Sequence, residues 1–188
     1  MAFDYPIMLD LTDVPVLVVG GGRIAFRKIE GLLKAGAVVT VVAPLVVDPI
    51  HDLPVRIAIR AYETGDLDDV RLVITATDDP VVNAAVAADA TSRGIWVNSA
   101  DDPANCTFTL PAVARDGAVT VAVGTGGSSP ALASHLRGEL EKWLIEIGAA
   151  DAAVALAAQR TELRAEGIST ESIDWSDRVR AALNYPTP

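Results

Sequence analysis

Short apolar runs alternate with segments of helical periodicity along the first half of the chain. The runs consist mainly of valine, leucine and isoleucine, which is typical of strands buried on both faces of a sheet. They predict strands at 16–19, 38–42, 55–59, 72–76 and 95–98, with helices at 24–35 and 79–92. A further short strand at 5–11 is expected to cover this sheet. Strands that alternate with helices predict a parallel, doubly wound α/β sheet with right-handed crossovers.

The pattern changes after Pro103. Two β-type runs, 107–114 and 118–123, flank Asp116-Gly117, a dipeptide typical of hairpin turns, so this part is predicted to be antiparallel. A glycine-rich loop then leads into helical segments. The predicted helices cover about 130–147, 151–166 and 170–183.

Composition narrows the class of protein. Of the 188 residues 51% are hydrophobic, and the formal net charge of −10 argues against nonspecific binding to nucleic acid or to an anionic membrane surface. The single cysteine, Cys106, excludes an intramolecular disulfide and a cysteine cluster for zinc. The N-terminus, with Asp4, has no signal-peptide pattern, and no apolar run is long enough to span a bilayer. We therefore expect a cytoplasmic protein.

A glycine turn follows the first predicted strand. Gly20, Gly22 and Ala25 match the dinucleotide fingerprint G-x-G-x-x-G/A. In it the first glycine permits the tight turn, the second lets the backbone approach a pyrophosphate, and the third small residue lets the helix pack closely. The N–H groups at the helix start then face the phosphates. This predicts a nucleotide site in a Rossmann-type domain, against the alternative of a plain strand–turn–helix connection.

The second strand ends without the acid that holds the adenosine ribose in many NAD sites. It runs into Ala43-Pro44-Leu45, and the next acidic residue is Asp48. Either backbone groups near residues 43–45 serve the ribose, or the ligand is not NAD. Because Arg23 is placed to contact a phosphate, NADP stays open as well.

Polar residues also follow the fourth and fifth strands, where open α/β sheets bind ligands. Thr77-Asp78-Asp79 either lines the nicotinamide side of a site or caps the next helix. A carboxylate of Asp101-Asp102 would act as a general base beside a hydride acceptor, although aspartate before proline also forms turns. His51 and His135 are isolated, so no metal site is expected.

Together these motifs resemble the precorrin-2 dehydrogenase family, which includes the N-terminal module of siroheme synthase. The similarity covers roughly residues 5–145, and the absent ribose acid is also usual in that family. Its motifs are Gly20-Gly21-Gly22-Arg23-Ile24-Ala25-Phe26-Arg27-Lys28, Val41-Val42-Ala43-Pro44, Ala76-Thr77-Asp78-Asp79 with Val82-Asn83, Asn98-Ser99-Ala100-Asp101-Asp102-Pro103, and Gly126-Gly127-Ser128-Ser129-Pro130.

The resemblance implies NAD-dependent oxidation of the tetrapyrrole precorrin-2 to sirohydrochlorin, and iron insertion in some members, a lyase activity. It implies Asp101 as the essential acid–base residue, with Asp102 as the competing position. The implied cofactor contacts are Gly20, Gly22, Arg23, Ile24, Ala43, Pro44, Leu45, Thr77 and Asp78, and the implied substrate contacts are Asn98, Thr125 and Ser128. Family members are dimers through the hairpin and the helix after it.

We therefore expect three parts: a Rossmann domain at 1–103, a hairpin and helix forming a homodimer interface at 104–148, and a small helical domain at 149–188. The pattern alone also fits a helical cap on the first domain. Two other functions stay open: a non-catalytic NAD-binding regulatory domain, and a sirohydrochlorin chelatase without dehydrogenase activity.

Overall fold

The structure, a computed structural model, describes residues 5–185, and these form two compact units. The first unit ends at Leu110 and the second begins at Pro111. Residues 1–4 and 186–188 lie outside the described residues, and with them Asp4, on which the signal-peptide argument rests. The division into three parts stays a prediction. Between residues 5 and 185, no helix has the length and apolar character needed to cross a membrane.

A five-stranded parallel sheet forms the centre of the first unit, as predicted. Its strands are β1 (Pro15–Val19), β2 (Val38–Val42), β3 (Arg56–Ala58), β4 (Leu72–Thr75) and β5 (Trp96–Ser99). They lie in the order β3-β2-β1-β4-β5. The chain therefore leaves β1 on one side for β2 and β3 and returns on the other side for β4. Doubly wound sheets bind ligands at such a reversal, beyond the carboxyl ends of the strands.

Helices cover both faces of this sheet. They are α1 (Arg23–Lys34), the short α2 (Asp48–His51) and α3 (Pro80–Ser92). Ile29 of α1 packs on the face that holds Val16 and Val18, and Val86 of α3 packs on the face that holds Leu17 and Val19. Because successive strand residues point to opposite faces, every apolar side chain of β1 after its first residue enters a core.

The strand predicted at residues 5–11 is absent, so that prediction was wrong. This segment is irregular, and Tyr5, Ile7 and Met8 are more than half exposed. An extended segment that pairs with no neighbour gains no ladder of hydrogen bonds, so its apolar residues alone do not make it a strand.

The second unit consists of a hairpin and three helices. Its elements are β6 (Ala112–Asp116), β7 (Val119–Val123), α4 (Pro130–Glu146), α5 (Ala149–Ala165) and α6 (Ser176–Ala182). β6 and β7 are antiparallel, as predicted, and Ala114, Leu144 and Ile147 form a small core. Gly148, with φ of +65°, separates α4 from α5.

The last helix is shorter than the predicted 170–183. It begins at Ser176, whose N–H donates to Asp174 Oδ1 at 2.9 Å. Trp175 Nε1 donates to Thr170 O at 3.2 Å, which holds the preceding residues in a turn instead of a helix. Local side-chain hydrogen bonds of this kind compete with helix formation.

Candidate functional site

The glycine turn after β1 contacts the ends of the two neighbouring strands, β2 and β4. Gly20 has φ of +127°, and a Cβ there would lie 2.7 Å from the carbonyl carbon of Ala76. The Gly20 N–H donates to Val42 O at 3.0 Å, and the Ala76 N–H donates to Val19 O at 2.8 Å. Only glycine fits this position, as the fingerprint predicts.

The middle glycine, which the fingerprint leaves unspecified, is packed just as tightly. A Cβ on Gly21 would overlap the Leu45 carbonyl oxygen and lie 2.8 Å from Cα of Val46. Gly21 O also accepts a hydrogen bond from the Val47 N–H at 2.9 Å. The glycine turn and the loop after β2 therefore hold each other backbone to backbone. The spacing of the motif gives no signal for this contact.

Gly22, unlike Gly21, borders open space, because a Cβ there would meet no atom of the described residues within 4 Å. It is the N-cap of α1, and no acidic side chain lies in the first turn of that helix. Ala25, the third fingerprint residue, is fully buried. The helix start, whose first N–H groups have no acceptor within the helix, therefore borders open space at Gly22, an arrangement that suits a bound anion.

A cleft of about 700 Å³ opens at this end of the sheet. Its walls are the glycine turn, the loop after β2, the segment after β3 and the loop after β4. The predicted cofactor contacts all line it: Gly20, Gly22, Arg23, Ile24, Ala43, Pro44, Leu45, Thr77 and Asp78. Its volume is that of a small-molecule site, and it lies at the reversal of strand order.

The loop after β4 caps the next helix and also lines the cleft, while its place beside a nicotinamide stays a prediction. Asp79 is the N-cap of α3, since its Oδ1 accepts from the Val81 N–H at 2.8 Å. Asp78 is exposed, lines the cleft and does not cap the helix. Thr77 is held by the buried side chain of Asn83 from α3.

The segment after β3 contributes residues to the cleft wall that the sequence did not predict. Tyr62 lines the cleft, and its hydroxyl donates to Asp89 Oδ2 at 3.0 Å. Burial, reinforced by this hydrogen bond, raises the pKa of Tyr62 well above 10. Arg60 donates to both carboxylate oxygens of Asp66, at 2.8 and 2.5 Å, and these bonds lower the pKa of Asp66.

Asp101 and Asp102 follow β5 in different surroundings. The Asp102 carboxylate accepts from Asn105 Nδ2 at 2.6 Å, and the Asp102 N–H donates to Ser99 O at 3.3 Å. Asp101 is exposed with φ of +59°, and within residues 5–185 its carboxylate has no hydrogen-bond or ion-pair partner. Asp102 therefore belongs to the turn, whereas Asp101 presents a free carboxylate.

Asp101 and Asn98 lie outside the cleft lining but at the same edge of the sheet. The Ala100 N–H donates to Thr75 O at 2.8 Å, which continues the pairing of β5 with β4. Asn98 is buried and its Nδ2 donates to Phe108 O at 3.1 Å. Its Oδ1 has no partner among the described residues.

Cys106 and Lys28 also belong to this region, and sequence reasoning gave neither a role. The Cys106 thiol is buried against Ser99, whose N–H donates to Sγ at 3.1 Å, and burial raises the pKa of the thiol. Burial lowers the pKa of Lys28 on α1, while the charge of Asp101 opposes that shift. A partly buried ammonium thus lies within electrostatic reach of Asp101.

Thr125 and Ser128 belong to the second unit, in the loop before α4. Thr125 Oγ1 accepts from the Ser129 N–H at 3.2 Å, and Ser129 Oγ caps α4 by accepting from the Leu132 N–H at 3.2 Å. Ser128 is exposed. Their role as substrate contacts stays a prediction. Across residues 5–185, no group of three or more histidine, cysteine or acidic residues is arranged to hold a metal ion.

Each of the two units is similar to a known protein family. Residues 7–112 match the model of a family described as putative NAD(P)-binding, and residues 116–142 match one described as sirohaem biosynthesis protein central. The chain is 48% identical over 143 residues to a siroheme synthase of Methylococcus capsulatus, an alignment that covers 73% of this chain and 30% of that protein. It is 44% identical over 146 residues to a siroheme synthase of Pseudomonas entomophila, covering 75% and 32%. The chain thus spans about a third of the length of these curated relatives.

A solved structure agrees with these matches. The precorrin-2 dehydrogenase SirC superimposes with a TM-score of 0.70 and 29% identity, over 95% of this chain and 87% of that one. The predicted fold class is confirmed, and so is a nicotinamide cofactor as the class of ligand. The resemblance to siroheme synthases and to a precorrin-2 dehydrogenase, which the motifs predicted, is confirmed. Because the first family model matches more than half of the residues, the chain belongs to the putative NAD(P)-binding family.

Proposed function

We propose that the protein oxidises precorrin-2 to sirohydrochlorin with NAD as the oxidant, in siroheme biosynthesis. The observation that carries this proposal is the cleft at the reversal of strand order, where Gly22 leaves open space at a free helix start. The carboxylate of Asp101, which has no partner among residues 5–185, follows β5, the strand beside β4. The siroheme synthases and SirC, which the chain resembles, supply the substrate class.

The residues of the cleft fit a dinucleotide. The helix start at Gly22 and the adjacent Arg23 suit the pyrophosphate, since both favour negative charge. The loop after β2 has no acid, so backbone groups near Leu45 would serve the adenosine ribose. Thr77 and Asp78 would line the nicotinamide side.

The surroundings of Arg60 favour NAD over NADP. A 2′-phosphate is usually accommodated by an arginine near the end of the second strand. Arg60 follows β3, which pairs with the end of β2, but its guanidinium is engaged by both oxygens of Asp66. No free guanidinium is therefore offered to a 2′-phosphate by this segment.

The reaction removes a hydride and a proton from the substrate. NAD, when bound, supplies the hydride acceptor. Asp101 takes the proton and passes it to solvent, because its carboxylate is exposed and no described residue donates a hydrogen bond to it. The two electrons leave with the hydride, and NADH and one proton are released with sirohydrochlorin. Asn98, Thr125 and Ser128 are proposed to orient the substrate.

The proposal also includes a cytoplasmic homodimer formed through the hairpin and α4. Its support is an apolar face on α4, made of Leu132, Leu136 and Trp143, each 39–48% exposed. The spacing i, i+4 and i+11 places these three side chains on one side of the helix. Insertion of iron into sirohydrochlorin stays a prediction implied by the family alone.

The test is an anaerobic assay with enzymatically made precorrin-2 and NAD, following NADH formation and the sirohydrochlorin spectrum. Wild-type protein, Asp101→Asn and Asp102→Asn are compared. We expect NADH with wild type, a loss of at least about 100-fold in Asp101→Asn, in line with removal of a general base, and retained activity in Asp102→Asn. Binding of NADH is measured for each variant to show that the cleft is intact.

Other outcomes separate the alternatives. Tight NAD binding without turnover in wild type contradicts the dehydrogenase and favours a regulatory domain. Binding of sirohydrochlorin without dependence on NAD favours a chelatase. Activity that persists in Asp101→Asn but disappears in Asp102→Asn keeps the enzyme and moves the base to Asp102.

A further inference from the structure

The side chain of Asn83 pairs with both backbone groups of Thr77. Its Oδ1 accepts from the Thr77 N–H at 3.3 Å, and its Nδ2 donates to Thr77 O at 3.0 Å. Thr77 Oγ1 lies 2.8 Å from the same Oδ1. The amide thus pairs with the backbone as a neighbouring strand would, two residues after β4 ends and one residue after the last hydrogen bond to β1.

Asn83 lies behind the cleft wall. It is 6% exposed and is not among the residues that line the cleft, whereas Thr77 and Asp78 are. It belongs to the first full turn of α3, whose start is fixed by Asp79. The position of Thr77 is therefore fixed by hydrogen bonds to a capped, partly buried helix, although Thr77 itself lies in a loop.

This pairing leaves other groups of the loop available. Because Thr77 N–H and C=O are satisfied by Asn83, the backbone cannot rotate them toward the cleft without breaking two partly buried hydrogen bonds. Within residues 5–185, the Asp78 N–H makes no hydrogen bond, and Asp78 lines the cleft. The loop is thus held in a conformation in which the N–H of Asp78, which lines the cleft, has no acceptor among residues 5–185.

We propose that Asn83 is a positioning residue for the dinucleotide: it holds the Thr77 backbone so that the loop after β4 presents Thr77 and Asp78 to the cofactor. The inference rests on the proposed nicotinamide dinucleotide in this cleft. Asn83 acts through Thr77 and touches neither cofactor nor substrate. Its effect therefore falls on cofactor affinity, and kcat at saturating cofactor changes little.

The variants are Asn83→Leu and Asn83→Asp, with Val86→Ala as the matched control. Leucine keeps the volume but removes both hydrogen-bonding groups. Aspartate keeps the shape but loses the Nδ2 donor, and regains a donor only when it is protonated. Val86 is fully buried on the same helix and contributes to the core, and its side chain has no group that could hydrogen-bond to Thr77.

The measurement is the Kd of NADH by its fluorescence, on the full chain, at a temperature where circular dichroism shows each variant folded. We expect Asn83→Leu to raise the Kd about tenfold, and Val86→Ala to leave it unchanged although its thermal midpoint falls. For Asn83→Asp the Kd is expected to be raised at pH 8 and to return toward that of wild type at pH 5. A shift with pH of this kind is not expected from a merely structural role.

Two results overturn the inference: an unchanged Kd in Asn83→Leu, or equal increases in Asn83→Leu and Val86→Ala, which reflect general loosening of α3. Failure of the proposed cofactor itself is recognised separately, because wild-type protein then binds no NADH. Failure of the proposed substrate is separate as well, because NADH binding does not require precorrin-2.

Discussion

The backbone of Gly21 lies directly against the carbonyl group of Leu45. A Cβ at position 21 would overlap the Leu45 oxygen and lie 3.0 Å from its carbonyl carbon. At the next position, Gly22, a Cβ would meet nothing within 4 Å. Two neighbouring glycines of one turn are thus required for different reasons, one by the protein and one by the space that a ligand would fill.

This contrast predicts that Gly21→Ala mainly lowers the stability of the protein, whereas Gly22→Ala mainly weakens the binding of NADH. Gly21→Ala forces the two loops apart and is expected to lower the free energy of unfolding by about 1–3 kcal/mol, as overpacking does. Gly22→Ala is expected to change that free energy by no more than about 1 kcal/mol, because it alters only a helix N-cap, and to raise the Kd of NADH at least tenfold. Chemical denaturation and NADH titration check both. Equal loss of stability in the two variants would contradict the assignment.

The pairing of Arg60 with Asp66 predicts that Asp66→Asn improves the use of NADP. The amide still accepts the Glu63 N–H bond now made by Asp66 Oδ2 at 2.9 Å, but it no longer neutralises Arg60. We expect the Kd of NADPH divided by the Kd of NADH to fall about tenfold, which is what one new contact between a guanidinium and a phosphate would give. The double variant with Arg60→Gln serves as the control and should lose the gain. A gain that survives in the double variant would place the phosphate contact elsewhere.

The apolar face of α4 predicts that Leu136→Glu dissociates the proposed dimer. Ile145 is more exposed than Leu136, at 63% against 39%, but lies on the other side of the helix, so Ile145→Glu is the matched control. Sedimentation at micromolar concentration should give monomer for Leu136→Glu and dimer for wild type and Ile145→Glu. A wild-type monomer under these conditions would remove the dimer from the proposal.

Burial of Lys28 predicts a pH-dependent gain in stability for Lys28→Met. Because burial lowers the pKa of Lys28 from 10.5, the unfolded chain binds this proton more tightly than the folded chain does. The folded state is therefore penalised at neutral pH, and the penalty disappears as the pH rises toward 10.5. We expect Lys28→Met to be more stable by about half a kcal/mol at pH 7, after allowance for solvent screening, with a smaller difference at pH 10. Thermal unfolding checks this, with Lys34→Met at the exposed end of α1 as control, and a constant difference across pH would show that packing is responsible.

The sheet was predictable because burial itself leaves a pattern in the sequence. β1 after its first residue is buried on both faces, so it reads as an unbroken apolar run, and Ile29 of α1 recurs at helical spacing with Ala25. The fingerprint glycines were predictable for a similar reason, because Gly20 has a backbone angle that other residues rarely adopt. By contrast, the apolar residues at 5–11 suggested a strand that the structure lacks, since their composition says nothing about whether a neighbouring strand is available.

The sequence by itself determined the five parallel strands, the two long helices among them, the hairpin, the place of the cleft and the family. Each of these depends on local periodicity or on residues a few positions apart. Only the tertiary structure decided that Asp102 is engaged in its turn while Asp101 has no partner in the described part of the chain, that Gly21 meets Leu45, and that Asn83 holds Thr77. These distinctions arise from contacts and hydrogen-bond geometry, and a carboxylate or a glycine has the same local sequence pattern whether or not a partner lies beside it.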